Sequence, residues 1–94
     1  MPTESLTHSL LRMLISGERT RDQKDLVRSC ASARGAVEGS VGAVLDGMME
    51  TGLVEREWIH DQESGFMRFE ITVTPQGRKH FAELEAMAGG GGGE

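Results

Sequence analysis

Residues Gly65 to Gly77 read GFMRFEITVTPQG, and Met67, Phe69, Ile71 and Val73 alternate with Arg68, Glu70, Thr72 and Thr74. Strict alternation of this kind is the period of a β-strand with one face buried and one exposed. Pro75 has no N–H to continue a ladder, so the strand ends there and a short helix from about Gln76 to Met87 is expected, burying Phe81 and Leu84. Upstream, Leu53 to His60 is a second run rich in β-branched and aromatic residues, and Asp61 to Gly65, polar and ending in glycine, joins the two as a hairpin loop.

Before the hairpin the apolar period is helical. Leu6, Leu10, Met13 and Leu14 mark a first helix that Gly17 ends. Thr20 and Gln23 have the spacing of a capping box and predict the start of a second helix, which buries Leu26, Val27 and Cys30 and stops between Ser29 and Gly35. Val37, Val41, Val44, Leu45 and Met48 predict a third, closed by Gly52. The five glycines of GGGGGE at 89–94 bury nothing and read as a flexible tail, so the expected domain is 1–88.

Helix, helix, helix, two-stranded hairpin, short C-terminal helix is an α+β order, that of a winged helix-turn-helix. Two stretches carry a family likeness. Thr51-Gly52-Leu53-Val54-Glu55-Arg56-Glu57-Trp58, with Arg68-Phe69-Glu70-Ile71-Thr72-Val73-Thr74-Pro75-Gln76-Gly77-Arg78, resembles the wing of PadR-like and, more loosely, MarR-like transcriptional regulators. The resemblance covers roughly residues 41 to 84, and Trp58 is the residue that favours the PadR side. It implies a homodimer on double-stranded DNA, the third helix in the major groove and the wing against the neighbouring backbone or minor groove.

Ninety-four residues suffice for one small core but not for a second domain or a deep cleft. The hydrophobic share is 37%, and ten Lys and Arg against fifteen Asp and Glu leave a net charge of -5, the wrong sign for holding nucleic acid by overall field. A local basic patch is therefore required. Arg19 to Arg34 supplies one, with five bases against Asp22 and Asp25, a net +3; Arg21, Lys24 and Arg28 fall on one helix face, where phosphates are expected. Arg34, beside the start of the third helix, is a further phosphate candidate.

The third helix itself is poorly equipped for direct readout, since Val37 to Glu57 holds five acids and one base. Ser40 is its plausible base reader, with Ala43 beside it, and His60 and Arg68 are the wing candidates, Arg68 being equally suited to pair across the strands with Glu57 or Glu55. The competing reading is a winged-helix protein-interaction module, in which the small face Gly39, Gly42 and Ala43 packs on a protein partner and no DNA is bound. Trp58 suits packing or a dimer contact. Leu11, Ile15, Phe81 and Leu84 are the dimer-interface candidates.

No catalytic nucleophile sits beside a base, no phosphate-cradling loop is followed by Lys-Ser or Lys-Thr, and no convergent set of metal ligands or cofactor motif is present, so no enzyme, cofactor or metal is expected. The lone Cys30 excludes an intrachain disulfide, and the N-terminus has neither a signal nor a membrane-spanning run, which together suggest a cytoplasmic protein.

Overall fold

The fold is described from a computed structural model covering residues 5–17 and 22–93. Its elements are α1 (Leu6–Ser16), α2 (Gln23–Arg34), α3 (Glu38–Glu50), β1 (Val54–His60), β2 (Met67–Val73) and α4 (Pro75–Gly93). This is the predicted α+β order.

Each boundary has a local cause. Ser5 caps α1 by accepting the His8 N–H at 3.1 Å, and Gly17 closes the helix. At α2 the cap is Asp22, which accepts the Asp25 N–H at 3.2 Å, so the helix begins later than the capping box places it. Thr20, the expected cap, lies outside the described residues. Asp22 also bridges to Glu70 of β2, and this extended pairing fixes the backbone that feeds the helix. Gly35 ends α2 at φ 64°, a left-handed conformation that costs glycine nothing, and the Ala36 N–H then returns to Ala31 O at 2.9 Å.

The core gathers Leu10, Leu11 and Leu14 of α1, Leu26, Cys30 and Ala31 of α2, Val41, Leu45 and Met48 of α3, and Val54 and Ile71 of the hairpin. Helical stripes read from the sequence thus converge as expected, with two corrections. Val37 is 72% exposed, because it occupies the cap position of α3 rather than a helical turn. Leu11 is fully buried in the core of a single chain, so it is not available as a dimer contact. It sits between Leu10 and Leu14 on a stripe wider than the sequence spacing suggested.

Strands β1 and β2 pair antiparallel, Val54 opposite Val73 and His60 opposite Met67. The link to α4 is tightly built. The Thr74 backbone N–H donates to Leu53 O at 3.1 Å, the Thr74 hydroxyl lies 2.6 Å from Gly52 O and 3.0 Å from Leu53 O, and it accepts the Gly77 N–H at 2.9 Å. Thr74 therefore caps α4 while pinning its start to the turn after α3, and Pro75 occupies the first helical position, where a missing N–H does no harm.

Helix α4 runs on through Gly93, past the expected end at Met87 and through five residues of the expected flexible tail. No proline or left-handed residue interrupts the turns after Met87, so nothing local forces a stop. A polar clamp holds α4 to α1: Glu85 accepts from Arg12 Nη2 at 2.7 Å and lies 2.5 Å from Nε2 of the buried His8, whose ring meets Phe81 edge-on at 5.4 Å. No described helix is long and apolar enough to cross a membrane.

Candidate nucleic-acid interface

Helix α3 turns Val41, Leu45 and Met48 inward and leaves Gly39, Ser40, Ala43, Asp46 and Gly47 exposed. A Cβ added at Gly39, Gly42 or Gly47 would meet nothing within 4 Å. Among the described residues, then, no close approach requires these glycines. Their side of α3 is open surface.

Beside that surface lies the basic face of α2. Lys24 and Arg28 line a shallow groove with Gln23, Val27, Glu38, Gly39 and Gly42. Lys24 also lines a second groove, shared with Asp22, Gln23, Arg68 and the wing residues Trp58, Met67 and Phe69. The base of α2 thereby joins the exposed side of α3 to the wing in one continuous surface. Arg28 pairs with Asp25 only at 3.8 Å and both are exposed, an interaction worth little in water. Arg21 lies outside the described residues.

The remaining basic candidates are placed differently from expectation. Arg34 reaches back to α1, donating to Ser5 O at 3.2 Å and to the buried Ser9 hydroxyl, so it ties α1 to α2. Arg68 is held by carboxylates, at 3.0 Å from Glu70 and 3.6 Å from Asp61. Its partners are thus on its own strand and in the hairpin loop, and neither Glu55 nor Glu57 is one of them. In the register Arg68 faces Ile59 and Glu57 faces Glu70.

Alternation sorts the hairpin by charge. Val54, Arg56, Trp58 and His60 share one face of β1, and the burial of Val54 and Ile71 turns that face toward the helices. Glu55, Glu57 and Glu70 stand on the opposite face. Glu55 and Glu57 nonetheless border one groove with Met49, Val54 and Arg56, so their charge stays beside Arg56. Trp58 stacks on Phe69 at 4.1 Å and the Arg56 guanidinium lies over the same Phe69 ring at 4.3 Å, while Trp58 stays 58% exposed. Sequence reasoning passed over Arg56, although period-two counting from Val54 to Trp58 puts it on their face.

Gln23, at the border of both grooves, has a buried Oε1 with no hydrogen-bond partner among the described residues. No group of three or more His, Cys, Asp or Glu able to hold a metal occurs among them. In the wing loop, Asp61 accepts the N–H of Glu63 at 3.0 Å and of Ser64 at 3.4 Å. These bonds, the Glu63 N–H foremost, hold its carboxyl below the usual aspartate value. A depressed folded value means that the contribution to loop order is present above the unfolded value and is lost as pH falls through the folded one. In an NMR titration the Glu63 and Ser64 amide shifts are expected to move together with a midpoint below that of an unperturbed aspartate; a midpoint at or above it refutes the assignment.

No family model matches the chain, and no curated protein matches it. Solved structures do. TA0346 from Thermoplasma acidophilum, assigned to the transcriptional regulators, is similar with a TM-score of 0.68 and 25% identity, over 83% of this chain and 74% of that one. A mutant MepR from a multidrug-resistant S. aureus clinical isolate gives 0.66 and 19%, over 88% of this chain and 55% of that one. The transcriptional regulator BldR from Sulfolobus solfataricus gives 0.60 and 23%, over 84% and 50%. The chain spans about half the length of these last two, and they bear on the fold alone. Three helices, a hairpin wing and a closing helix, superposable on these proteins, make this chain a winged helix-turn-helix of the kind found in transcriptional regulators.

Proposed function

We propose that the chain is a DNA-binding transcriptional regulator that works as a cytoplasmic homodimer on double-stranded DNA. The observation that carries this reading is the continuity of the basic face of α2 with the open side of α3: Lys24 and Arg28 share a groove with Gly39 and Gly42. Lys24 and Arg28 contact phosphates and set the register, as Arg21 does on sequence grounds, while Ser40 and Ala43 approach base edges and His60 serves at the wing. Arg34 acts instead through its tie to Ser5 and Ser9, and Arg68 through its carboxylate partners. The PadR-like assignment rests on the wing motif.

Salt dependence tests the reading. Phosphate neutralisation releases counterions, so on generic duplex DNA the log of affinity falls against the log of salt by about 0.9 per phosphate contacted. Lys24→Ala and Arg28→Ala are each expected to weaken binding evenly across sequences and to reduce that slope by about one. Ser40→Ala is expected to change sequence preference and leave the slope intact. Absence of binding at low salt would sink the proposal and favour the protein-docking alternative, for which the open Gly39, Gly42 and Ala43 surface and the exposed Glu38 and Asp46 are the relevant features. For the dimer, Ile15, Phe81 and Leu84 remain candidates together with Met87, which is 73% exposed on α4. A scattering mass twice that of the chain supports dimerisation, and the monomer mass at working concentration contradicts it.

A further inference from the structure

We infer that the tip of the wing is a docking site for a basic segment of another protein, one that sets Lys or Arg around an apolar anchor; the inference is independent of the DNA-binding reading above. Five large apolar side chains are exposed among the described residues, and three of them, Trp58, Phe66 and Met67, lie here. Met67 pairs with His60 on the last rung of the ladder and borders one groove with Trp58. Phe66, 74% exposed, closes the tip, where its carbonyl accepts the Asp61 N–H at 2.9 Å. The hairpin is anchored to the helices at its other end, through the buried Val54 and Ile71, so packing within the chain does not account for apolar rings at the tip. Aromatic side chains and Met gathered in one exposed patch inside a polar rim are the composition of a protein-docking surface.

Charge decides the partner. From Glu55 to Glu70 the hairpin holds five acids, Glu55, Glu57, Asp61, Glu63 and Glu70, against Arg56 and Arg68, a net -3. Arg68 is engaged by Asp61 and Glu70, and Arg56 shares its groove with Glu55 and Glu57. Lys24, at the edge of the Trp58 groove, has Asp22 beside it. Glu55, Glu57 and Glu63 are exposed and in no ion pair among the described residues, which leaves the rim of the patch acidic. Such a rim disfavours phosphate at the tip and attracts Lys or Arg flanking an apolar anchor, so one surface both selects and rejects. His60, on the helix-facing side of β1, is not needed for this contact.

Trp58 is the sole tryptophan of the chain, so its emission reports the patch directly. Titrating the full chain with an amphipathic peptide of Leu and Lys alone is expected to give saturable binding, a blue shift of Trp58 emission and weaker quenching by acrylamide. A peptide with Glu in place of every Lys is expected to change neither. Phe66→Ser should weaken the Leu/Lys peptide about tenfold and Glu57→Gln about threefold, whereas Glu83→Gln, which removes the same charge from α4, should leave it unchanged. Binding that leaves Trp58 unperturbed, equal affinity for the Leu/Glu peptide, or parent-like affinity in a folded Phe66→Ser variant overturns the inference. A loss of generic duplex affinity in Phe66→Ser as large as its loss of peptide affinity assigns the tip to nucleic acid and also overturns it. So does a dimer mass of the peptide-free chain that Phe66→Ser abolishes, which assigns the tip to a second copy. Failure of the wild-type chain to bind any duplex at low salt sinks the regulator reading alone.

Discussion

Gly77→Ala is expected to destabilise the protein by about 3 kcal/mol or more, the upper end of what overpacking costs. A Cβ at this position would stand 2.0 Å from Leu53 O and 2.8 Å from Val73 Cγ1, far inside contact distance. The obstacle is backbone rather than a flexible side-chain tip. Leu53 O cannot step aside either, because it accepts the Thr74 N–H and lies within reach of the Thr74 hydroxyl. Relief requires moving the start of α4 off the turn that follows α3, which also breaks the Thr74 cap. The check is the denaturant midpoint of the variant against the parent chain; an unchanged midpoint would show that α4 starts elsewhere in solution.

A loss of similar size, about 3 kcal/mol, is expected for Leu11→Ala, in the range for removing a buried leucine side chain and leaving a partly relaxed cavity. Leu11 has no exposed surface and packs among residues of α1, α2, α3 and the hairpin. Its loss therefore appears in the stability of the single chain, and the shift in midpoint should not vary with protein concentration. Ile15→Ala, at a position only partly buried, should affect stability less and is the better probe of an interface. If Leu11→Ala instead left the unfolding midpoint intact and shifted the monomer–dimer balance, the burial assigned to it would be wrong.

These two residues mark where reading the sequence stopped. Both lie inside elements that periodicity located correctly. Yet Leu11 was assigned to the outside of a helix whose full buried arc depends on how many neighbours surround it, and here α1 packs against α2, α3, α4 and the hairpin. Gly77 sat in a motif valued for its resemblance, while its need for glycine comes from Leu53, twenty-four positions earlier.

The candidate site shows the same division. Helical spacing alone puts Lys24 and Arg28 on one face of α2, and both line a groove with Gly39 and Gly42 of α3. Position before α3 in the chain makes Arg34 a phosphate candidate, but in space it reaches Ser5 and Ser9 at α1. For the wing, alternation within β2 puts Arg68 and Glu70 on one outward face, but only the register shows that Glu57 shares it and that Arg56 lies over Phe69 on the other.

By itself the sequence determined the order of elements, the helix stop at Gly17 and one for α2 between Ser29 and Gly35, the hairpin and its break at Pro75, and the inward stripe of α3. All of these follow from covalent geometry repeated over a few residues, such as a period of 3.6 or of two, a missing N–H or a left-handed turn. Tertiary structure alone decided which charges are engaged and which are open, through contacts between segments tens of residues apart. The open glycine side of α3 belongs to both accounts: its spacing marks it as the face away from the core, and no neighbour among the described residues lies within 4 Å of a Cβ built there.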